Sequence, residues 1–323
     1  MAHADLPSLR AHMAASRTSR GASLQDASRS VPFDGIMKGT VLPRRRHELY
    51  GKSVLIAAKA QIASALALID LDGVASRLAV CPPDFTPHRL ESVIKQAEID
   101  AIVCDEQTQE FGKHVPHFHC SHLIEENNDL SNVPQRTEWI MPTSGTTGAP
   151  KLVAHYLEGL LGAITKAPSR ERPIVWATFY DIRRYGGLQI FLRAVTGGTT
   201  LVLSDQDEAL PDYLSRCRAA GVTHMSGTPS HWRRLLMTPH ANSLALEYVR
   251  LSGEIADRAV LDSLRDAYPE AHIGHAFAST EAGVAFEVTD GLEGFPQSYI
   301  GGRGEVEMRV EEGSLRIRSR RIA

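Results

Sequence analysis

From Lys52 onward, short apolar runs alternate with helical stretches, and that rhythm limits the possible folds more than any other feature of the chain. Residues 52–58 (KSVLIAA) read as a buried strand, 61–69 as an apolar helix, and 78–81 as a second strand stopped by Pro82 and Pro83. A helix over 89–97 then leads to a third strand at 101–104. Continuous apolar runs without polar alternation suit strands covered on both faces. Strands separated by helices call for crossover connections and a parallel sheet.

Residues 105–136 break the rhythm; they are polar, rich in His and without period, as expected of a connection between subdomains. The alternation resumes with strands predicted near 138–141, 174–179, 200–203, 248–251 and 272–276, and helices near 187–195, 213–220, 230–237 and 258–267. In the tail, 305–310 (EVEMRV) and 314–318 (SLRIR) alternate in period two around Glu312-Gly313, the pattern of a half-exposed antiparallel hairpin. The expected fold is therefore α/β: two mostly parallel α/β subdomains packed together, with a small antiparallel, barrel-like β element near the C-terminus. Expected boundaries are a partly ordered leader at 1–47, a first subdomain at 48–135, a second at 136–292 carrying the site, and the β-hairpin element at 293–323.

Composition excludes several classes. The 35 basic and 38 acidic side chains leave a net charge of −3, so the chain has no general attraction for nucleic acid or an anionic membrane, and any anion grip must be local. The longest apolar candidate, 62–71, is about half of the roughly 20 residues that span a bilayer, and it contains Asp70. The leader, rich in Ala, Ser and Arg, carries Asp5 and Asp26 and lacks a secretory apolar core, so it reads as no address. Cys81, Cys104, Cys120 and Cys217 form no CxxC pair and fit reduced thiols in the cytoplasm.

The stretch WIMPTSGTTGAPK, residues 139–151, carries the most chemistry. A strand runs into Thr143, Ser144, Gly145, Thr146, Thr147 and Gly148, followed by Pro150 and Lys151. Glycines let the backbone approach an anion closely, and successive N–H groups form a nest for phosphate oxygens. The hydroxyls add donors and Lys151 a compact charge. The spacing is not that of the P-loop GxxxxGK[ST], because Ala149-Pro150 separates Gly148 from Lys151 and Leu152 follows, so a Walker-type kinase is rejected. The plain alternative is a flexible Ser/Thr/Gly linker.

PTSGTTGAPK resembles the signature loop of the adenylate-forming superfamily, which includes acyl- and aryl-CoA synthetases, peptide-synthetase adenylation domains and luciferases. The resemblance covers roughly residues 48–323. Within it, HAFASTE (275–281) is similar to the family's aromatic-Gly-x-Thr-Glu segment. It implies that Phe277 stacks on adenine, that Thr280 lies by the α-phosphate, that Ser279 is part of the nucleotide site, and that Glu281 holds Mg²⁺. Ala278 replaces the usual glycine. Ser252, Gly253 and Glu254 resemble the turn beside the adenine, and 222–236 matches a further strand and helix. The implied catalytic residues are Lys151, Thr280 and Glu281.

The implied acyl pocket involves 179–187 (FYDIRRYGG), with Tyr180, Asp181, Arg184 and Gly187 as candidates. One alignment puts Asp181 where amino-acid-activating relatives bind the substrate ammonium. Another puts Arg184 where acyl-CoA synthetases often carry His. Arg183 or Arg184 could instead pair with a second substrate carboxylate, or the charges could lie on a solvated loop. The family pattern continues to a Thr-Gly-Asp segment, a hinge and a small domain with a catalytic lysine; the sequence stops before these at Ala323, so it is read as a fragment, the alternative being a naturally short member.

His114, His117, His119, Cys120 and His122 offer zinc-type donors. In an extended chain, however, His117 and His119 face one way and Cys120 and His122 the other, so a polar linker is the expected reading. His155, four residues after Lys151, is flagged as either near the phosphates or structural. The resemblance implies ATP and Mg²⁺ as cofactors, a small-molecule carboxylic acid as substrate, and CoA or a phosphopantetheine carrier protein as the acceptor. The rival is a non-catalytic nucleotide- and acyl-binding module of the same fold.

Overall fold

The computed structural model describes residues 8–16, 21–105, 111–121, 123–126, 135–143, 149–164, 172–205, 207–239, 241–301 and 305–320. Among these, the strands form an eight-stranded and a six-stranded sheet with two small antiparallel pairs. The larger sheet runs Gly283–Val288, His272–Ser279, Tyr248–Ser252, His224–Gly227, Val175–Thr178, Thr200–Leu203, Ser23–Gln25, Ser30–Pro32. Its interior pairs are parallel and both edges antiparallel. The smaller sheet runs Lys151–Tyr156, Glu138–Thr143, Arg77–Val80, Ser53–Ile56, Ala101–Cys104, His117–His119, parallel except at Lys151–Tyr156. The expected architecture is present, and the tail hairpin pairs Val306–Glu311 with Ser314–Ser319.

Helix ends follow local chemistry. Thr86 caps Pro87–Gln96 by accepting from Arg89 N, and Asp257 caps Arg258–Ala267 by accepting from Val260 N. Thr228 and His231 exchange bonds in a capping box on Pro229–Leu236. Tyr185–Gly197 stops at Gly198, whose φ of 64° is a left-handed conformation suited to glycine.

The sheets do not divide at 135/136. Glu138–Thr143, expected in the second subdomain, lies beside Arg77–Val80 and so belongs to the first sheet together with Lys151–Tyr156. The leader is also built in. Ser23–Gln25 pairs with Thr200–Leu203 of the larger sheet, and Leu9 and Met13 of the helix Leu9–Ala15 are buried. Pairing is decided by partners far away in sequence, which local periodicity does not carry.

Asp70 holds part of the leader in place. Arg46 Nε and Arg10 Nη2 reach its carboxylate at 2.8 and 3.0 Å, and Thr40 Oγ1 and Val41 N donate to it as well. Two residues on, buried Asp72 accepts from Leu9 N at 2.7 Å and Trp139 Nε1 at 2.9 Å; burial still pushes its carboxyl up to about 7. A central apolar cluster joins Val54, Ile56 and Trp139 of the smaller sheet to Trp176, Leu201 and Phe191 of the larger unit.

Candidate active site

The carboxyl ends of parallel strands are the usual ligand-binding edge of an α/β sheet. In the smaller sheet, Thr143 ends a strand that runs parallel to Arg77–Val80, and it sits opposite Lys151 in the antiparallel pair that follows. The two ends of the glycine-rich loop are therefore held about 5 Å apart at this edge. Ser144, Gly145, Thr146, Thr147 and Gly148 lie outside the described residues. Lys151 is exposed and enters no salt bridge among the described residues.

In the larger sheet, Ser252 is in register with Ala276, so Gly253-Glu254 and Phe277-Ala278 leave the same edge side by side. Gly253 has φ +85°, which makes glycine the natural residue at this turn. Glu254 accepts from Ser230 N at 3.0 Å and Ser230 Oγ at 2.6 Å, and those bonds hold its carboxyl below the ordinary value. Tyr180 Oη donates to Ser252 O at 2.7 Å, and burial pushes its hydroxyl up to about 12.

Phe277 is 42% exposed, with one face stacked on Phe286 at 5.7 Å and 17°. The strand register shifts between Phe277 and Ala278, and Ser279 Oγ accepts from Ala282 N at 3.0 Å, closing the turn that displays Thr280 and Glu281. Glu281 is exposed and enters no salt bridge among the described residues.

The two sheets meet through His155. It lies on the strand leaving the phosphate loop, is only 2% exposed, and sits beside the main chain of Thr280. Its Nε2 has no hydrogen-bond partner among the described residues. Burial holds the imidazole below its ordinary value, against the opposing pull of the Thr280 carbonyl and Glu281. Tyr185 packs against the same ring at 5.8 Å.

The pocket candidates behave differently from one another. Asp181 receives both Nε and Nη2 of Arg183, at 2.8 and 2.6 Å, while Arg183 Nη1 donates to the carbonyls of Ala58 and Lys59. Arg184 pairs with Asp84 of the other unit at 2.7 Å, with both side chains about half exposed, so this charge lies in solvent while Arg183 does not. A side chain at Gly187 would place Cβ 2.1 Å from Asp181 O, so this glycine serves close packing against the loop. The sequence singled out His155 without a role, and it gave no sign that Arg183 rather than Arg184 would be buried.

His117 and His119 do share a strand face, and it meets buried Cys104, whose Sγ lies 4.0 and 3.6 Å from their Nδ1 atoms. Cys120 is buried, with its thiol pushed up by burial, and His122 lies outside the described residues. Among the described residues no group of three or more His, Cys, Asp or Glu side chains is arranged to hold a metal ion.

The α/β fold sets Thr143 and Lys151 at the end of one sheet, and the exposed Phe277 with the Thr280-Glu281 turn on the other. The chain belongs to the AMP-binding enzyme family, whose model matches residues 58–313. It is 29% identical over 163 residues to 4-coumarate–CoA ligase 3 of Arabidopsis thaliana, covering 46% of this chain and 28% of that protein. To tyrocidine synthase 3 of Brevibacillus parabrevis it is 26% identical over 180 residues, 53% of this chain and 3% of that protein. The chain thus spans less than a third of these curated relatives.

The fold matches an E. coli MenE variant with bound OSB-AMS at TM-score 0.75 and 18% identity, covering 100% of this chain and 70% of that one. It also matches the Klebsiella oxytoca NpsA N-terminal subdomain in complex with anthranilyl-AMSN at TM-score 0.74 and 15% identity, covering 98% and 87%. VinN in complex with 3-methylaspartate gives TM-score 0.69 at 16% identity, covering 98% and 90%. No described helix is long and apolar enough to cross a membrane.

Proposed function

We propose that the protein activates a small carboxylic acid with ATP, forming an acyl-adenylate and releasing pyrophosphate. An oxygen of the acid attacks the α-phosphorus, a new P–O bond forms, and the bond to pyrophosphate breaks. Such a step asks the protein mainly for orientation and charge compensation. The observation that carries the reading is the proximity of buried His155, on the strand leaving the glycine-rich loop, to the turn that bears Thr280 and Glu281. Family membership and the ligase and synthetase relatives support acid activation in general.

In this proposal Lys151 and the loop from Thr143 to Gly148 hold the outer phosphates, and Ser279 and Thr280 lie by the α-phosphate. Phe277 offers its open face to adenine beside Ser252, Gly253, Glu254 and Ala278. Glu281, an exposed carboxylate, suits the hard-cation chemistry of Mg²⁺, which when bound would neutralise phosphate charge. The acyl group would then pass to a thiol of CoA or of a phosphopantetheine carrier protein. The four cysteines are buried and none is joined in a disulfide among the described residues, which fits a reducing cytoplasm.

The test is carboxylate-dependent exchange of labelled pyrophosphate into ATP by the full-length protein, over a panel of acids. Exchange that requires both an acid and Mg²⁺ is expected. ATP bound without exchange for any acid would instead mark a non-catalytic binding module.

A further inference from the structure

We infer that the acid taken by this site carries no ammonium group beside its carboxylate. The inference rests on the adenylation reading and narrows its substrate class.

An ammonium withdrawn from water needs a carboxylate that is not already committed elsewhere. The loop at 179–187 leaves the carboxyl end of Val175–Thr178 and contains one acid, Asp181, against two bases, Arg183 and Arg184. Asp181 is consumed. Its Oδ1 accepts from Arg183 N and Nε, both at 2.8 Å, and its Oδ2 from Arg183 Nη2 at 2.6 Å.

Arg183 cannot swing away to release it. Its side chain is 1% exposed, and its remaining Nη1 donates to Ala58 O at 2.6 Å and Lys59 O at 2.7 Å, beyond the strand Ser53–Ile56. Drawing Asp181 toward a substrate would strand a buried guanidinium. The paired fork is the stronger claim on the carboxylate.

The other acids of this edge are engaged too. Glu254 is held by Ser230, Glu287 by Arg250 and Tyr248, and Asp84 by Arg184. Glu281 lies on the turn assigned to metal and phosphates. Asp181 therefore acts as a brace between the two units, and the ammonium of an amino acid entering here would find the loop's only carboxylate already committed to Arg183.

Matched pairs of non-hydrolysable acyl-sulfamoyl adenosines test this by calorimetry on the full-length protein: phenylacetyl against phenylglycyl, 3-phenylpropanoyl against phenylalanyl, 4-methylpentanoyl against leucyl. Within the tightest-binding pair, the acyl member is expected to bind about tenfold or more tighter than its α-amino counterpart. Asp181→Asn is expected to lower thermal stability and leave that ratio within about threefold. Equal or tighter binding of the aminoacyl member overturns the inference. So does a selective loss of aminoacyl binding in Asp181→Asn, or ATP binding with no acyl analogue bound. Failure to bind ATP would sink the adenylation reading itself.

Discussion

His155 is buried beside the main chain of Thr280, bringing an edge strand of the smaller sheet against the turn of the larger sheet that carries Glu281. This packing brings together groups that come from opposite halves of the proposed nucleotide site.

The same residue gives a pH dependence. Burial holds the folded imidazole below its ordinary value of about 6.5, so the unfolded chain takes up this proton first as pH falls. Stability is therefore expected to be full above about pH 6.5 and to be lost as pH drops through the folded value. His155→Gln, which removes the titrating ring, should flatten this acid limb in urea titrations at stepped pH. An unchanged limb would assign the acid sensitivity to other groups.

Lys151 sits opposite Thr143 at the mouth of the glycine-rich loop. Lys151→Ala is expected to slow pyrophosphate exchange by roughly 10²-fold, the scale seen when one charge-stabilising donor is removed. ATP affinity should fall far more than AMP affinity, because a lysine on the outer phosphates acts only when they are present. Equal loss for both nucleotides would move the side chain elsewhere.

Glu281→Ala tests the metal role. The variant is expected to lose Mg²⁺-dependent ATP binding, measured by calorimetry with and without the ion, while AMP binding without Mg²⁺ persists. Wild-type Mg²⁺ dependence in the variant would remove Glu281 from that role.

Phe277 has one face on Phe286 and is otherwise open. If adenine occupies the open face, Phe277→Ala should weaken adenylate binding by ~1–3 kcal/mol, the usual range for stacking a base on an aromatic ring. Phe277→Tyr should restore it. A tyrosine variant as weak as the alanine one would argue against stacking.

How much of this was legible in the sequence follows from where each piece of information resides. The strands at 53–56, 101–104 and 200–203 were readable because a strand buried on both faces is a bare apolar run. Lys151 stood out because phosphate chemistry limits which residue types can serve it, whereas Thr280 and Glu281 were picked out by the resemblance of HAFASTE to a family segment. Tertiary pairing was hidden. Nothing local says that Glu138–Thr143 lies beside Arg77–Val80, or that carbonyls at Ala58 and Lys59 hold Arg183 against Asp181. The edge strand Lys151–Tyr156 was missed because its residues are mostly half-buried and lack the apolar run of a central strand.

Asp70 shows the same limit, and it supplies a stability test away from the site. It stood out in the sequence only as a charge interrupting an apolar helix, yet two arginines from the leader side converge on it. Its side chain is 1% exposed and that of Arg46 only 6%. Asp70→Asn leaves these guanidinium groups without their counter-charge, and removing one partner of a buried pair typically costs ~3–5 kcal/mol. Urea denaturation is expected to show a midpoint lowered accordingly with little change in slope, because the same surface still unfolds. Replacing Arg10 as well should cost less than the sum of the two single changes, since groups in one network couple. Strict additivity, or a loss below about 1 kcal/mol for Asp70→Asn, would mean that the leader docks through its apolar contacts, Leu9 and Met13, rather than through this carboxylate.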